Sequence, residues 1–228
     1  MTNKSSPRTP EEMRTAIGTY SPEQWLRALV EAPAGDRDAW CEELLGIREV
    51  PKGTEVSLPD RIGYSPCSVA SIVRAVFEVP LRESDVLLDV GSGLGKVCML
   101  AALLSGARAV GVEVQKELVE IATARTSELR MERVSFRAES AATAGLSAAN
   151  VFFFYIPFTG ELLHAVLAQI KEIAAKKPVI VCAVGFDLPP VPWLRARATS
   201  AFWSTIYDSE APRVPRPLSA DASALIAD

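Results

Sequence analysis

From residue 85 to residue 184 the chain alternates short apolar runs with stretches of helical period, and few folds accommodate that alternation. The runs VLLDV, RAVGVEV, RVSFRAE, NVFFFYI and PVIVCAV read as strands; GKVCMLAALLSG, KELVEIATARTSEL and ELLHAVLAQIKEIAA read as helices. A strand, a helix and a further strand in one sheet imply a parallel crossover, so helices should cover both faces. The unbroken VFFFYI fits a strand buried on both sides. The expected fold class is α/β: a Rossmann-like, mostly parallel sheet with helices on both faces, preceded by an N-terminal helical cap.

The cap is announced by SPEQWLRALV, where Ser21 caps, Pro22 fits the first helical position and Gln24 completes a capping box. A second helix is predicted over DRDAWCEELLGI, with Asp36 or Asp38 as cap, Trp40 and Leu44 inward and Gly46 as stop. A Pro-, Gly- and Ser-rich loop follows, and a third helix should start near Pro66 with Ser65 as its cap. ATSAFWSTIYDS is read as a final antiparallel edge strand after DLPPVPW, a Pro-rich turn suited to opening a short helix. The domain reading is 1–60 for the cap and linker, 61–210 for the main domain, and 211–228 for a mobile tail with little to bury.

At 228 residues, 49% of them hydrophobic and 23% charged, the composition is globular. No apolar run approaches the ~20 residues that cross a bilayer, and no leader pattern opens the chain; a cytoplasmic location without a membrane partner is expected. Cys41, Cys67, Cys98 and Cys182 are widely spaced and read as buried free thiols. The single histidine, His164, reads as a half-buried residue of an amphipathic helix, and no metal site is expected. Residues 1–60 carry 7 Lys and Arg against 11 Asp and Glu, and no basic stripe occurs elsewhere, which disfavours nucleic acid as a partner.

The chemistry concentrates in DVGSGLGK, where Gly91, Gly93 and Gly95 stand at alternate positions behind the first strand. Ligands of open α/β sheets collect beyond the carboxyl ends of the strands, and glycine lets them touch backbone. A dinucleotide fingerprint reads G-x-G-x-x-G and seats a pyrophosphate on the next helix. This chain reads G-x-G-x-G, with Asp89 placed to oppose a phosphate and suit a cation. Glu113 ends the next strand about 20 residues on, where an acid accepts from ribose hydroxyls.

The run DVGSGLGK followed by AVGVEV resembles the cofactor half of class I S-adenosylmethionine-dependent methyltransferases. The resemblance covers about residues 61–185. It implies S-adenosylmethionine as cofactor, with Asp89, Gly91, Ser92, Gly93 and Gly95 facing its methionine part, Glu113 on the ribose, and Glu139 or Ser140 near the adenine. It also implies an acceptor at the end of the fourth strand. There, amino-group methyltransferases carry Asn or Asp, Pro, Pro, then Tyr or Phe, whereas this chain has Tyr155, Ile156, Pro157 and Phe158. Tyr155 is the expected orienting group, with Pro157 and Phe158 as walls of the substrate site; adenine or cytosine of DNA is disfavoured as acceptor. The segment IGYSPCSVASIVRAVFEV is similar in layout to non-SET lysine methyltransferases and their small bacterial relatives, which implies Tyr64 and Pro66 as lid residues.

The activity so implied is methyl transfer to nitrogen or oxygen of a small molecule or of a basic polypeptide side chain. The altered YIPF leaves open a non-catalytic cofactor-binding regulator or subunit. A nicotinamide-dependent dehydrogenase is the third reading.

Overall fold

Seven strands form one sheet in the order β3-β2-β1-β4-β5-β7-β6. They are β1 (Val86–Val90), β2 (Arg108–Glu113), β3 (Val134–Ala138), β4 (Val151–Tyr155), β5 (Ile180–Val184), β6 (Arg195–Ala196) and β7 (Ser204–Asp208). The first five are mutually parallel, and β7 runs antiparallel between β5 and β6. The α/β reading thus holds. The computed structural model describes residues 8–54, 63–156, 158–197 and 203–214, with 217, 220, 223 and 225 as single positions.

Alternation of side chains along the strands divides the core. Leu87, Phe153 and Cys182 face one side, where they meet α4 (Val69–Glu78), α5 (Lys96–Ser105) and α6 (Lys116–Glu128). Leu88, Phe152, Phe154 and Val181 face the other, against α7 (Gly160–Ala174). Phe152, Phe153 and Phe154 are all fully buried, as an unbroken apolar run between two helical layers requires.

The N-terminal helices are α1 (Pro10–Arg14), α2 (Pro22–Glu31) and α3 (Arg37–Leu45). The capping box of Ser21 and Gln24 forms in both directions, and Thr9 with Glu12 makes a second one on α1, a helix the sequence did not suggest. Gly46 ends α3 at φ +69°, a left-handed stop that glycine adopts without penalty. Trp25, Leu29, Trp40 and Leu44 join the same core as α4, α5 and one sheet face.

Several expectations need correction. Helix α4 starts at Val69, not near Pro66: Ser68 accepts the Ser71 N–H at 3.2 Å, and Asp38 accepts the Val69 N–H at 2.9 Å, so the start is fixed there. Asp36 stands before α3 yet makes no side-chain cap bond. Residues 187–194 hold a turn and no helix. The final strand β7 is not an edge, because β6 pairs outside it. His164 lies on the exposed face of α7 rather than half-buried. Within 211–228, Arg213 forms a two-pronged bond to Asp85 at 2.6 and 2.9 Å, and Leu225 is buried in the core, so this segment does have something to bury. The four cysteines are free and buried, as read. Among the described residues, no helix is long and apolar enough to cross a membrane.

Candidate active site

The winding of the sheet reverses at β1, which pairs β2 on one side and β4 on the other. The loop after β1 therefore opens beside the end of β4. Its shape depends on three glycines at positive φ: Gly91 at +84°, Gly93 at +52° and Gly95 at +82°. The N–H groups of Gly91 and Ser92 both donate to the Val112 carbonyl, at 2.8 and 3.1 Å, which hangs the loop from β2. A Cβ on Gly93 would overlap the Tyr64 ring, and one on Gly95 or Gly111 would overlap the Phe136 ring. Packing demands glycine at all three positions, and the backbone angle demands it as well at Gly93 and Gly95.

Glu113 ties the loop from the other side. Its Oε2 accepts the Gly93 N–H at 3.0 Å and its Oε1 accepts the Gln115 N–H at 2.9 Å. Both oxygens keep a lone pair for further donors. Asp89 is 2% exposed, and burial, then the Glu113 charge, pushes its carboxyl up to about 8. The Cys98 thiol, 4.0 Å away, is its one hydrogen-bond partner among the described residues. The Ser92 hydroxyl is buried with no partner among the described residues.

Around these groups lies a cavity of about 640 Å³, within the range of small-molecule sites. Asp89, Gly91, Ser92, Glu113, Glu139 and Ser140 line it, and so do Tyr64, Pro66, Tyr155 and Phe158. Gly93 and Gly95 hold the loop's shape just behind that wall. Pro157 lies outside the described residues, as do residues 55–62 of the linker and 198–202 before β7. Glu139 pairs with Arg137 at 3.1 Å on the cavity rim. Tyr64 is anchored by its own N–H, which donates to the Thr54 carbonyl at 2.8 Å; burial above all, then Glu42 and Asp89, raises its hydroxyl far above the usual phenol range. Phe158 is buried edge-on to Phe154, ring centres 6.5 Å apart.

Among the lining residues that were not foreseen, Lys96 and Ile156 bear most on the site. Lys96 follows the last loop glycine, and its ammonium bonds Asp38 at 2.6 Å and Glu42 at 2.9 Å. Ile156 has φ +40°, which a β-branched residue adopts at a cost of about 1–3 kcal/mol. Its side chain covers Gly185, where a Cβ would collide with it. No sequence pattern announces such a turn.

A buried carboxyl facing a cavity, a second acid at the end of β2, an unpartnered hydroxyl and a floor bared by glycine suit a ligand with a cationic end and ribose hydroxyls. Residues 81–187 match the family model described as a methyltransferase domain. Those residues form a methyltransferase domain of the S-adenosylmethionine-dependent kind. The structure of an RNA methyltransferase from Salinibacter ruber in complex with S-adenosyl-L-homocysteine is similar to this methyltransferase at 26% identity, with 68% of this chain and 99% of that one covered and a TM-score of 0.52. A putative methyltransferase of Escherichia coli, yhhF, shares the fold at 18% identity, covering 68% and 92% of the two chains with a TM-score of 0.53. No protein of curated function matches the methyltransferase. S-adenosylmethionine is its cofactor.

Proposed function

We propose that the enzyme methylates a nitrogen or oxygen of an uncharged or cationic acceptor, either a small molecule or a basic polypeptide side chain. The observation that carries this reading is the single cavity in which the glycine loop and its acids share space with Tyr64, Tyr155 and Phe158. In this reading Asp89 faces the cofactor's ammonium, and Gly91, Ser92, Gly93 and Gly95 give its methionine part close access to backbone. Glu113 accepts from the ribose, and Glu139 and Ser140 border the adenine. The cofactor supplies an electrophilic methyl group on a sulfonium.

The remaining work falls to the acceptor side. Tyr155, the last residue of β4, orients the acceptor through a hydroxyl with no partner among the described residues. Tyr64 covers the loop, and Pro157 and Phe158 wall the acceptor in. In-line displacement at a methyl group depends chiefly on alignment and exclusion of water, so a site without histidine suffices. Aromatic faces beside several carboxylates favour an amine over an anion. Lys96 is the one basic side chain among the described lining residues, and two carboxylates occupy it.

That charge balance disfavours RNA, although the similar Salinibacter protein is an RNA methyltransferase. In the same proposal residues 1–60 serve as a helical cap to the domain at 61–210, and the enzyme works in the cytoplasm, in keeping with four free thiols. Release of S-adenosylhomocysteine, followed across amines, phenols, lysine-rich peptides and short RNAs, tests the reading. Turnover is expected with one of the first three classes. Turnover on RNA alone would sink the acceptor assignment, and tight cofactor binding with no turnover anywhere would make the chain a cofactor-binding regulator.

A further inference from the structure

The ion triad below the glycine loop is not used by methyl transfer as described, yet it borders the same cavity. Lys96 is the first residue of α5, and its side chain is 4% exposed. Asp38 and Glu42, four residues apart on α3, present their carboxylates from one helix face and take up its ammonium. Burial alone would push the Lys96 ammonium down; the bonds and charges of Asp38 and Glu42 outweigh it and hold the group above its ordinary value. Helix α3 contributes no side chain to the cavity lining. Its two acids therefore touch a cavity-lining side chain only at Lys96, although the Glu42 charge is also felt by the Tyr64 hydroxyl.

The charges of the cavity give that arrangement a purpose. A cofactor with an ammonium and a sulfonium must enter a space lined by Lys96, which carries a positive charge of its own, and by Asp89, the natural counter-ion for either cation. With its two carboxylates gone, a buried ammonium would seek another partner, since an uncompensated buried charge is costly. Asp89 borders the same space, and a Lys96–Asp89 pair would compete directly with the cofactor.

We propose that Asp38 and Glu42 are positioning residues of the cofactor site, which draw the Lys96 charge toward α3 and leave Asp89 free for a cationic ligand. This rests on the reading of the cavity as the S-adenosylmethionine site. Asp38 has a second duty: the oxygen that takes the Lys96 ammonium also caps α4 at Val69, five residues past Tyr64, whose ring lies over Gly93. One helix thus steadies both the floor and the cover of the cavity.

The test is a charge-removal series read by calorimetric affinity for S-adenosylhomocysteine, which carries the same ammonium, with the unfolding midpoint of each variant measured alongside. The Asp38→Asn/Glu42→Gln variant keeps hydrogen-bond acceptors but loses both charges, and should bind at least about tenfold more weakly. Adding Lys96→Met should restore affinity toward wild type, and Lys96→Met alone should stay within about threefold of it. A merely structural triad predicts instead that affinity follows the unfolding midpoint, falling and recovering only as far as the folded fraction does, whereas here affinity should change in variants that remain fully folded. Arg213→Met, which breaks an ion pair far from the loop, should leave affinity unchanged. If the double variant is unstable, Asp38→Asn and Glu42→Gln are compared singly with and without Lys96→Met. The proposal is overturned if the carboxamides bind like wild type, or if removing Lys96 fails to rescue them. Wild-type protein that binds no S-adenosylhomocysteine would instead overturn the reading of the cavity, and the proposal with it.

Discussion

Asp89 is the residue whose environment departs furthest from what water would give it. Its carboxyl, ordinarily near 3.8, is held up to about 8 by burial and by Glu113, with the Cys98 thiol and the Tyr64 ring also nearby. Between those two values the folded chain keeps a proton that the unfolded chain has lost. Stability should therefore fall as pH rises through that window and level off above about 8, a slope that Asp89→Asn should remove in denaturant titrations. In its proposed role the carboxylate is the form that meets the cofactor's ammonium. Affinity for S-adenosylhomocysteine should then rise by up to about tenfold per pH unit below 8. Calorimetry in two buffers of different ionisation enthalpy should detect close to one proton released. No proton release at pH 7 would show that Asp89 is already ionised.

At the scale of elements, the sequence was most informative where local rules act without tertiary help. Ser21, Pro22 and Gln24 announced α2 and its capping box, and Ser21→Ala should cost about 1 kcal/mol in denaturant unfolding. The strands from β1 to β5 were equally legible: β4 and β5 as apolar runs buried on both faces, and β1 to β3 by their alternation with helical stretches. The start of α4 was not. Ser65-Pro66 is as good a local start as Ser68, and what decides between them is Asp38, thirty-one residues earlier in the chain. The two-residue strand β6 carries no pattern at all and forms because β7 offers an open edge. In the site, the glycine spacing with Asp89 and Glu113 was readable because strand ends fix those positions. Lys96 and Ile156 were not, since one depends on a partner helix and the other on a backbone turn that only packing enforces.

Across the whole molecule, one core runs from Met13 and Trp25 through α4 and α5 to the sheet and on to Leu225. The chain beyond β7 is pinned at the far end of β1 by Arg213 on Asp85, whose carboxylate also accepts from Asn150 at 2.7 Å. Arg213→Met should lower stability by about 2 kcal/mol, as loss of a charged hydrogen-bonding partner does, and leave catalysis intact; an unchanged denaturation midpoint would show that the pair contributes nothing. The two outer strands have a further effect. On one side β6 is only two residues long and exposed at both, and on the other β3 turns Ser135 and Ala138 outward beside Arg137. Neither rim offers a long apolar ladder of unpaired amides and carbonyls for another chain to extend. A sheet whose central strands are buried on both faces can therefore sit in a crowded solution with little tendency to stack edge to edge into aggregates.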